Sequence, residues 1–157
     1  MKITTVNLRT LLPSLLLPAA VGGVGAVLTS MGMEAYSLLK KPPLVPPGWV
    51  FAVVWTVLYL LMGYAAYRVR SSSCFEKEGA FQAYYVQLAL NFLWVAVFFR
   101  FGMLWLSAVV LALLIAAILL TMKRFASCDV TASRLLIPYL VWCSFALYLN
   151  IGTAVLN

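Results

Sequence analysis

The chain has 157 residues, of which 65% are hydrophobic and only 10% are charged, and its formal net charge is +7. A soluble domain has about a quarter charged residues, so this composition excludes a soluble globular protein. The eleven basic residues stand at the ends of apolar runs, which excludes a nucleic-acid-binding surface and marks them as determinants of membrane topology. The absence of histidine removes the usual catalytic base, and no metal site is predicted.

Five apolar runs, each near the roughly 20 residues that cross a bilayer as a helix, organise the sequence. They predict an all-α membrane protein, a five-transmembrane-helix bundle that forms a single domain over residues 1–157. The predicted spans are about 10–31, 47–68, 80–100, 103–123 and 134–156. The first span is longer than the apolar core of a signal peptide and is expected to be retained, with Pro13 and Pro18 kinking its start.

The connection between helices 1 and 2 is a Pro-rich loop with four prolines in six residues, from Pro42 to Pro47. Each proline ring fixes φ and removes a backbone donor, so this segment cannot be helical, although Pro46-Pro47 can begin the next helix. The sequence predicts a stiff loop that covers a pocket within the membrane.

The distribution of basic residues predicts the orientation. One side of the membrane carries eight of them, and the other side carries three: Lys2, Arg9, Arg68, Arg70, Lys77, Lys123, Arg124 and Arg134 against Lys40, Lys41 and Arg100. The larger number predicts a cytoplasmic N-terminus. Cys74 and Cys128 then fall in cytoplasmic loops, where disulfides are rare, and Cys143 is expected to pack inside a helix. The short tail favours a bacterial protein, and a helical bundle is expected in the inner membrane.

Small residues are concentrated on two of the predicted helices: Gly22, Gly23, Gly25 and Ala26 on the first, and Ala108, Ala112 and Ala116 on the fourth. Such residues allow helix backbones to approach closely. The spacing leaves open whether these faces pack within the chain or form a dimer interface.

Polar and aromatic residues share single faces of three helices. They are Trp55, Tyr59 and Met62 on the second; Gln87, Asn91, Trp94 and Phe98 on the third; and Tyr139, Trp142, Ala146 and Asn150 on the fifth. Pro138 is expected to bend the fifth helix. Three inward aromatic faces predict a pocket for a flat, largely apolar ligand, with Gln87 and Asn91 orienting its carboxylate or carbonyl groups. Aromatic core packing without a ligand is the alternative.

Several blocks resemble the TspO/MBR family, the tryptophan-rich sensory proteins whose animal members are called translocator protein or peripheral-type benzodiazepine receptor. The blocks are Lys41-Pro42, Pro46-Pro47-Gly48-Trp49-Val50-Phe51, Val54-Trp55-Thr56-Val57-Leu58-Tyr59, Met62-Gly63-Tyr64, the segment 87–94 and the segment 134–142. They follow one another in the family's order over nearly the whole chain.

The resemblance implies a five-helix bundle, usually a homodimer among membrane lipids, with a pocket under the first loop. It implies binding of porphyrins such as protoporphyrin IX, of haem-type tetrapyrroles and of benzodiazepine-type drugs, in a receptor, sensor or carrier linked to tetrapyrrole regulation or transport. The resemblance implies no required cofactor, and it makes the outer membrane the alternative to the inner one. The alternatives are a light-dependent porphyrin-degrading enzyme that uses Trp55 and Trp142, and a transporter of sterol-type or lipid-type ligands. The predicted ligand-binding residues are Trp49, Phe51, Ala52, Trp55, Tyr59, Gln87, Asn91, Trp94, Trp105, Tyr139, Trp142 and Ala146.

Overall fold

The computed structural model describes residues 5–157, and the described chain is helical throughout apart from its connections. Lys2, which contributes to the predicted topology, lies outside the described residues. The helices are α1 (Leu8–Leu38), α2 (Gly48–Ser71), α3 (Lys77–Val95, continued by a π-helical turn Ala96–Arg100), α4 (Leu104–Cys128), α5 (Val130–Arg134) and α6 (Ile137–Leu156). Five segments of the described chain are long and apolar enough to cross a membrane, which confirms the predicted fold class.

The helix ends differ from the prediction where the sequence has weak stop signals. Helix α1 runs through Pro13 and Pro18 and continues to Leu38, seven residues beyond the predicted end at 31. The fifth membrane segment is divided into α5 and α6 by a turn at residues 135–136, just before Pro138. This proline stands in the first turn of α6, where a missing backbone donor removes no helical hydrogen bond, so it begins the helix and does not bend it.

Helix α3 is the most enclosed membrane segment, and α1 is the least. The closest packing joins α3 with α4, α1 with α2, and α4 with α6, whereas α2 and α6 are not a closely packed pair. The fully buried apolar side chains lie between these helices and include Met62, Leu111, Leu114, Ile118 and Cys143. Cys143 is therefore a buried packing residue of α6, as predicted.

Glycines allow α1 to approach its neighbours within the chain. A methyl group at Gly22 would lie 2.6 Å from the ring of Tyr59, and one at Gly63 would lie 2.8 Å from the backbone of Leu15. A methyl group at Gly32 would collide with the carbonyl group of Phe99 in the π-helical turn. These contacts assign Gly22 to packing within the chain. Ala112 and Ala116, in contrast, are exposed on the outer surface of α4.

A disulfide joins Cys74, in the α2–α3 connection, to Cys128, at the end of α4, with a Cα–Cα distance of 5.0 Å. The prediction that these cysteines stay unpaired is wrong. It relied on the compartment assigned to the loops and did not consider that the ends of α2 and α4 meet. The same corner holds an ion pair of 2.9 Å between Arg68 and Asp129. Asp129 also caps α5 by accepting a hydrogen bond of 3.1 Å from the backbone of Ala132.

Candidate functional site

Four aromatic rings from α2, α3 and α6 form what we call the inner aromatic cluster: Trp55, Tyr59, Trp94 and Tyr139. The ring of Trp55 lies at its centre, 5.7 Å from Tyr59, 5.9 Å from Trp94 and 6.3 Å from Tyr139 between centroids. The first contact is stacked and the third is edge-on, which are the geometries that aromatic pairs prefer. Trp94 and the two tyrosines are buried, and Trp55 is half-buried.

A second set of rings, the loop-side aromatic group, continues from this cluster toward the Pro-rich loop. The ring of Trp142 lies 5.6 Å from both Phe51 and Phe145, and Phe145 lies 6.1 Å from Tyr148. The Tyr148 hydroxyl donates a hydrogen bond of 3.0 Å to the carbonyl of Pro43. Because α2 and α6 are not closely packed, aromatic side chains fill the space between them.

A chain of buried hydrogen bonds, which we call the polar relay, runs behind the inner cluster. The Tyr59 hydroxyl donates to Oδ1 of Asn91 (2.7 Å), Nδ2 of Asn91 donates to the Tyr139 hydroxyl (3.0 Å), and that hydroxyl donates to Oε1 of Gln87 (2.8 Å). The relay ends where Nε2 of Gln87 contacts the sulfur of Met62 at 3.8 Å. The relay links α2, α3 and α6. It uses the hydrogen-bonding groups of Gln87 and Asn91, the two amides that the sequence predicts to contact the ligand.

The indole of Trp94 is also anchored, since its Nε1 donates a hydrogen bond of 3.1 Å to Oδ1 of Asn150. Nδ2 of Asn150 in turn donates to the carbonyl of Leu104 at the start of α4 (2.9 Å). Trp94 is therefore fixed by both its ring face and its nitrogen.

The indole nitrogen of Trp142 is different. Nε1 of Trp142 is buried and has no hydrogen-bond partner, a state that it shares with the hydroxyl of Tyr84 among the described residues. A buried donor without a partner costs about 1–3 kcal/mol of desolvation, so it is a candidate contact for an incoming acceptor.

The Pro-rich segment at residues 39–47 rests on the C-terminal half of α6. Nδ2 of Asn157 donates to the carbonyl of Lys40 (2.8 Å), and its Oδ1 accepts from the Lys40 backbone (3.0 Å). Pro42 packs over Gly152, where a methyl group would lie 2.7 Å from the proline ring. Leu44 adopts a φ of 71°, which is uncommon for a residue with a side chain. A groove with a volume of about 440 Å³ lies along this contact, on the outside of the bundle.

The structure brings together nine of the twelve predicted site residues and leaves three outside. Phe51, Trp55, Tyr59, Gln87, Asn91, Trp94, Tyr139, Trp142 and Ala146 lie in or beside the two aromatic sets and the relay. Trp49 (70% exposed), Trp105 (60% exposed) and Ala52 face outward. Phe145 was missed, although its position three residues after Trp142 on the same helical face could have revealed it.

Comparisons with known proteins identify the relatives of this chain. A model of the TspO/MBR family matches residues 14–156. The chain is 39% identical to the tryptophan-rich protein TspO of Chlorobaculum tepidum, over 88% of this chain and 89% of that protein. It is 33% identical to the tryptophan-rich protein TspO of Archaeoglobus fulgidus, over 96% and 99%, and 37% identical to the translocator protein of Bos taurus, over 86% and 82%.

Proposed function

The chain belongs to the TspO/MBR family, and we propose that it is a membrane receptor or carrier that binds porphyrins such as protoporphyrin IX. Similarly flat apolar ligands, including benzodiazepine-type drugs, would occupy the same site. The site is the space between α2 and α6, under the Pro-rich loop. The observation that carries this proposal is the pair of aromatic sets that fill the space between α2 and α6, two helices that are not closely packed against each other.

The two aromatic sets differ in how firmly they are held. In the inner cluster, Tyr59, Trp94 and Tyr139 are each fixed by a hydrogen bond as well as by ring contacts. In the loop-side group, Phe51 has no polar anchor, and the indole nitrogen of Trp142 has no partner. A macrocycle would therefore stack against the inner cluster and displace Phe51 and Trp142, since moving those rings breaks no hydrogen bond.

The buried donor of Trp142 supports a ligand that carries hydrogen-bond acceptors. A propionate or carbonyl oxygen that reaches Nε1 of Trp142 would satisfy this donor and remove its desolvation cost. Gln87 and Asn91 already bond to Tyr139 and Tyr59. We infer that the two amides position the tyrosine rings and do not contact the ligand.

The proposal is tested by titrating the purified protein with protoporphyrin IX in the dark and following the porphyrin Soret band. Replacing Trp142→Phe removes the unpartnered donor and part of the ring area. We expect Kd to rise about tenfold, which equals about 1.4 kcal/mol. Trp105→Phe is the matched control, because it removes an exposed indole outside both aromatic sets. Equal Kd values for wild type, Trp142→Phe and Trp105→Phe would refute the assigned site.

The same sample separates binding from the two alternative functions. Illumination of the bound porphyrin tests for light-dependent degradation, for which bleaching has to slow in Trp55→Phe and Trp142→Phe. Movement of porphyrin across vesicles that contain the protein tests for transport. Binding with neither effect would leave a receptor or sensor.

We propose a cytoplasmic N-terminus from the excess of basic residues on that side of the bundle. The disulfide between Cys74 and Cys128 lies on the same side and argues against this orientation, because cytosolic thiols are kept reduced. A C-terminal reporter that is active only outside the cytoplasm decides between them. A signal supports the proposed orientation, and its absence, with a signal from a cytoplasmic reporter, reverses it.

A further inference from the structure

A groove between α3 and α4, which we call the α3–α4 groove, lies on the outer surface of the bundle at the end opposite the Pro-rich loop. Its volume is about 290 Å³, and its walls include Ala83 and Val86 on one side and Ala117 and Leu120 on the other. Val86 is 54% exposed and Leu120 is 47% exposed, so the groove opens toward the lipid and not toward the bundle core.

The groove ends at a cation at the membrane boundary. The guanidinium of Arg124 lies over Gly79, where a methyl group would be 3.6 Å from Nη1 of Arg124. The only ion pair in residues 5–157 joins Arg68 to Asp129, so Arg124 has no carboxylate partner within that range. The amide of Gln82 lines the same part of the groove.

The surroundings of Arg124 carry excess positive charge. The described residues at this end of the bundle include seven basic side chains and three acidic ones: Arg9, Arg68, Arg70, Lys77, Lys123, Arg124 and Arg134 against Glu76, Glu78 and Asp129. One acidic side chain, Asp129, is already paired. The electrostatic environment therefore favours an anion at the membrane boundary, directly beside the apolar part of the α3–α4 groove.

We propose that the α3–α4 groove is a binding site for one phospholipid with an anionic headgroup, taken from the leaflet at this end of the bundle. An acyl chain would lie along Ala83, Val86, Ala117 and Leu120. The lipid phosphate would accept hydrogen bonds from Arg124, whose planar guanidinium matches two phosphate oxygens. The site lies outside both aromatic sets, so it does not depend on the proposed porphyrin site.

The test measures binding of dioleoylphosphatidylglycerol to the full chain in detergent by native mass spectrometry, with dioleoylphosphatidylcholine, whose zwitterionic headgroup has no net charge, as the comparison. We expect one retained phosphatidylglycerol and about tenfold weaker binding in Arg124→Gln, from the loss of charge-assisted hydrogen bonds. Lys123→Gln is the matched control, since it removes an adjacent exposed cation that does not line the groove. We expect it to weaken binding fivefold or less.

Ala117→Leu tests the part of the α3–α4 groove that would hold the acyl chain, without a change of charge. The larger side chain fills the groove, and we expect the retained lipid to be lost while the thermal unfolding curve stays cooperative. Equal effects of Arg124→Gln and Lys123→Gln, or full retention in Ala117→Leu, would overturn the site in favour of diffuse surface attraction. A Val86→Cys variant that cross-links to a second copy in membranes would also overturn it, because the groove would then be a protein interface.

Discussion

The polar relay allows a substitution of one hydroxyl group to be predicted with its sign and size. Tyr139→Phe keeps the ring that contacts Trp55 but removes the hydroxyl that both accepts from Asn91 and donates to Gln87. Asn91 is 0% exposed and Gln87 is 1% exposed, so water cannot replace the lost partner. Two polar groups are therefore left unsatisfied by one substitution.

The expected cost follows from these two groups. Hydrogen bonds between membrane helices contribute about 0.6 kcal/mol each on average and about 1.7 kcal/mol at most. Two lost bonds then predict a decrease of about 1–3 kcal/mol in the free energy of unfolding for Tyr139→Phe. Tyr59→Phe removes only the bond to Oδ1 of Asn91, so we expect about half of that decrease.

The assay is unfolding by sodium dodecyl sulfate in mixed micelles, followed by near-ultraviolet circular dichroism. Tyr84→Phe is the matched control, because Tyr84 is also buried (1% exposed) but its hydroxyl has no partner among the described residues. Removing that hydroxyl should leave stability unchanged or raise it by about 1 kcal/mol. If Tyr139→Phe and Tyr84→Phe gave equal changes, the relay would not contribute to stability and the reasoning would fail.

Three further substitutions test other features. Tyr148→Phe removes one of the hydrogen bonds that hold the Pro-rich loop to the C-terminal end of the chain, so bound protoporphyrin IX should dissociate a few times faster in stopped flow. Tyr85→Phe, at the opposite end of the bundle, should have no effect. Gly32→Ala should destabilise the protein by about 2 kcal/mol or more, because its methyl group collides with the π-helical turn. Gly23→Ala has open space around it and should be neutral or slightly stabilising. Thermal unfolding compares the two variants. Cys74→Ser removes the disulfide that closes a loop of 54 residues, so it should lower the free energy of unfolding by up to about 4 kcal/mol. Adding a reductant to this variant should cause no further loss of stability. A further loss would show that the stabilising disulfide does not involve Cys74.

The sequence predicted the helices well because lipid imposes one dominant rule, that a long uncharged run has to satisfy its own backbone hydrogen bonds. It predicted helix ends less well. No strong stop signal follows residue 31, so α1 continues to Leu38. Pro138 was assigned a bend because sequence periodicity cannot distinguish a proline inside a helix from one in its first turn.

Within the site, the sequence identified which faces turn inward but not what each side chain does there. Helical spacing placed Asn91 beside Trp94 on one face, and both are buried. Whether an amide points at a ligand or at a tyrosine depends on the distance between helices, which the sequence of one helix does not contain. The disulfide between Cys74 and Cys128 was missed for the same reason, since the two cysteines meet only because α2 and α4 end at the same corner.

The relay and the inner cluster share Tyr59 and Tyr139, which connects the stability of the bundle with the shape of the site. Since α2 and α6 are not closely packed, the relay through α3 helps to set the distance between them. A substitution in the relay should therefore change both the free energy of unfolding and ligand affinity. Trp142→Phe should change affinity with little net change in the free energy of unfolding, because the loss of ring area and the removal of an unpartnered buried donor act in opposite directions. This separation distinguishes a ligand site from aromatic core packing, in which every ring would contribute to stability in proportion to its buried area.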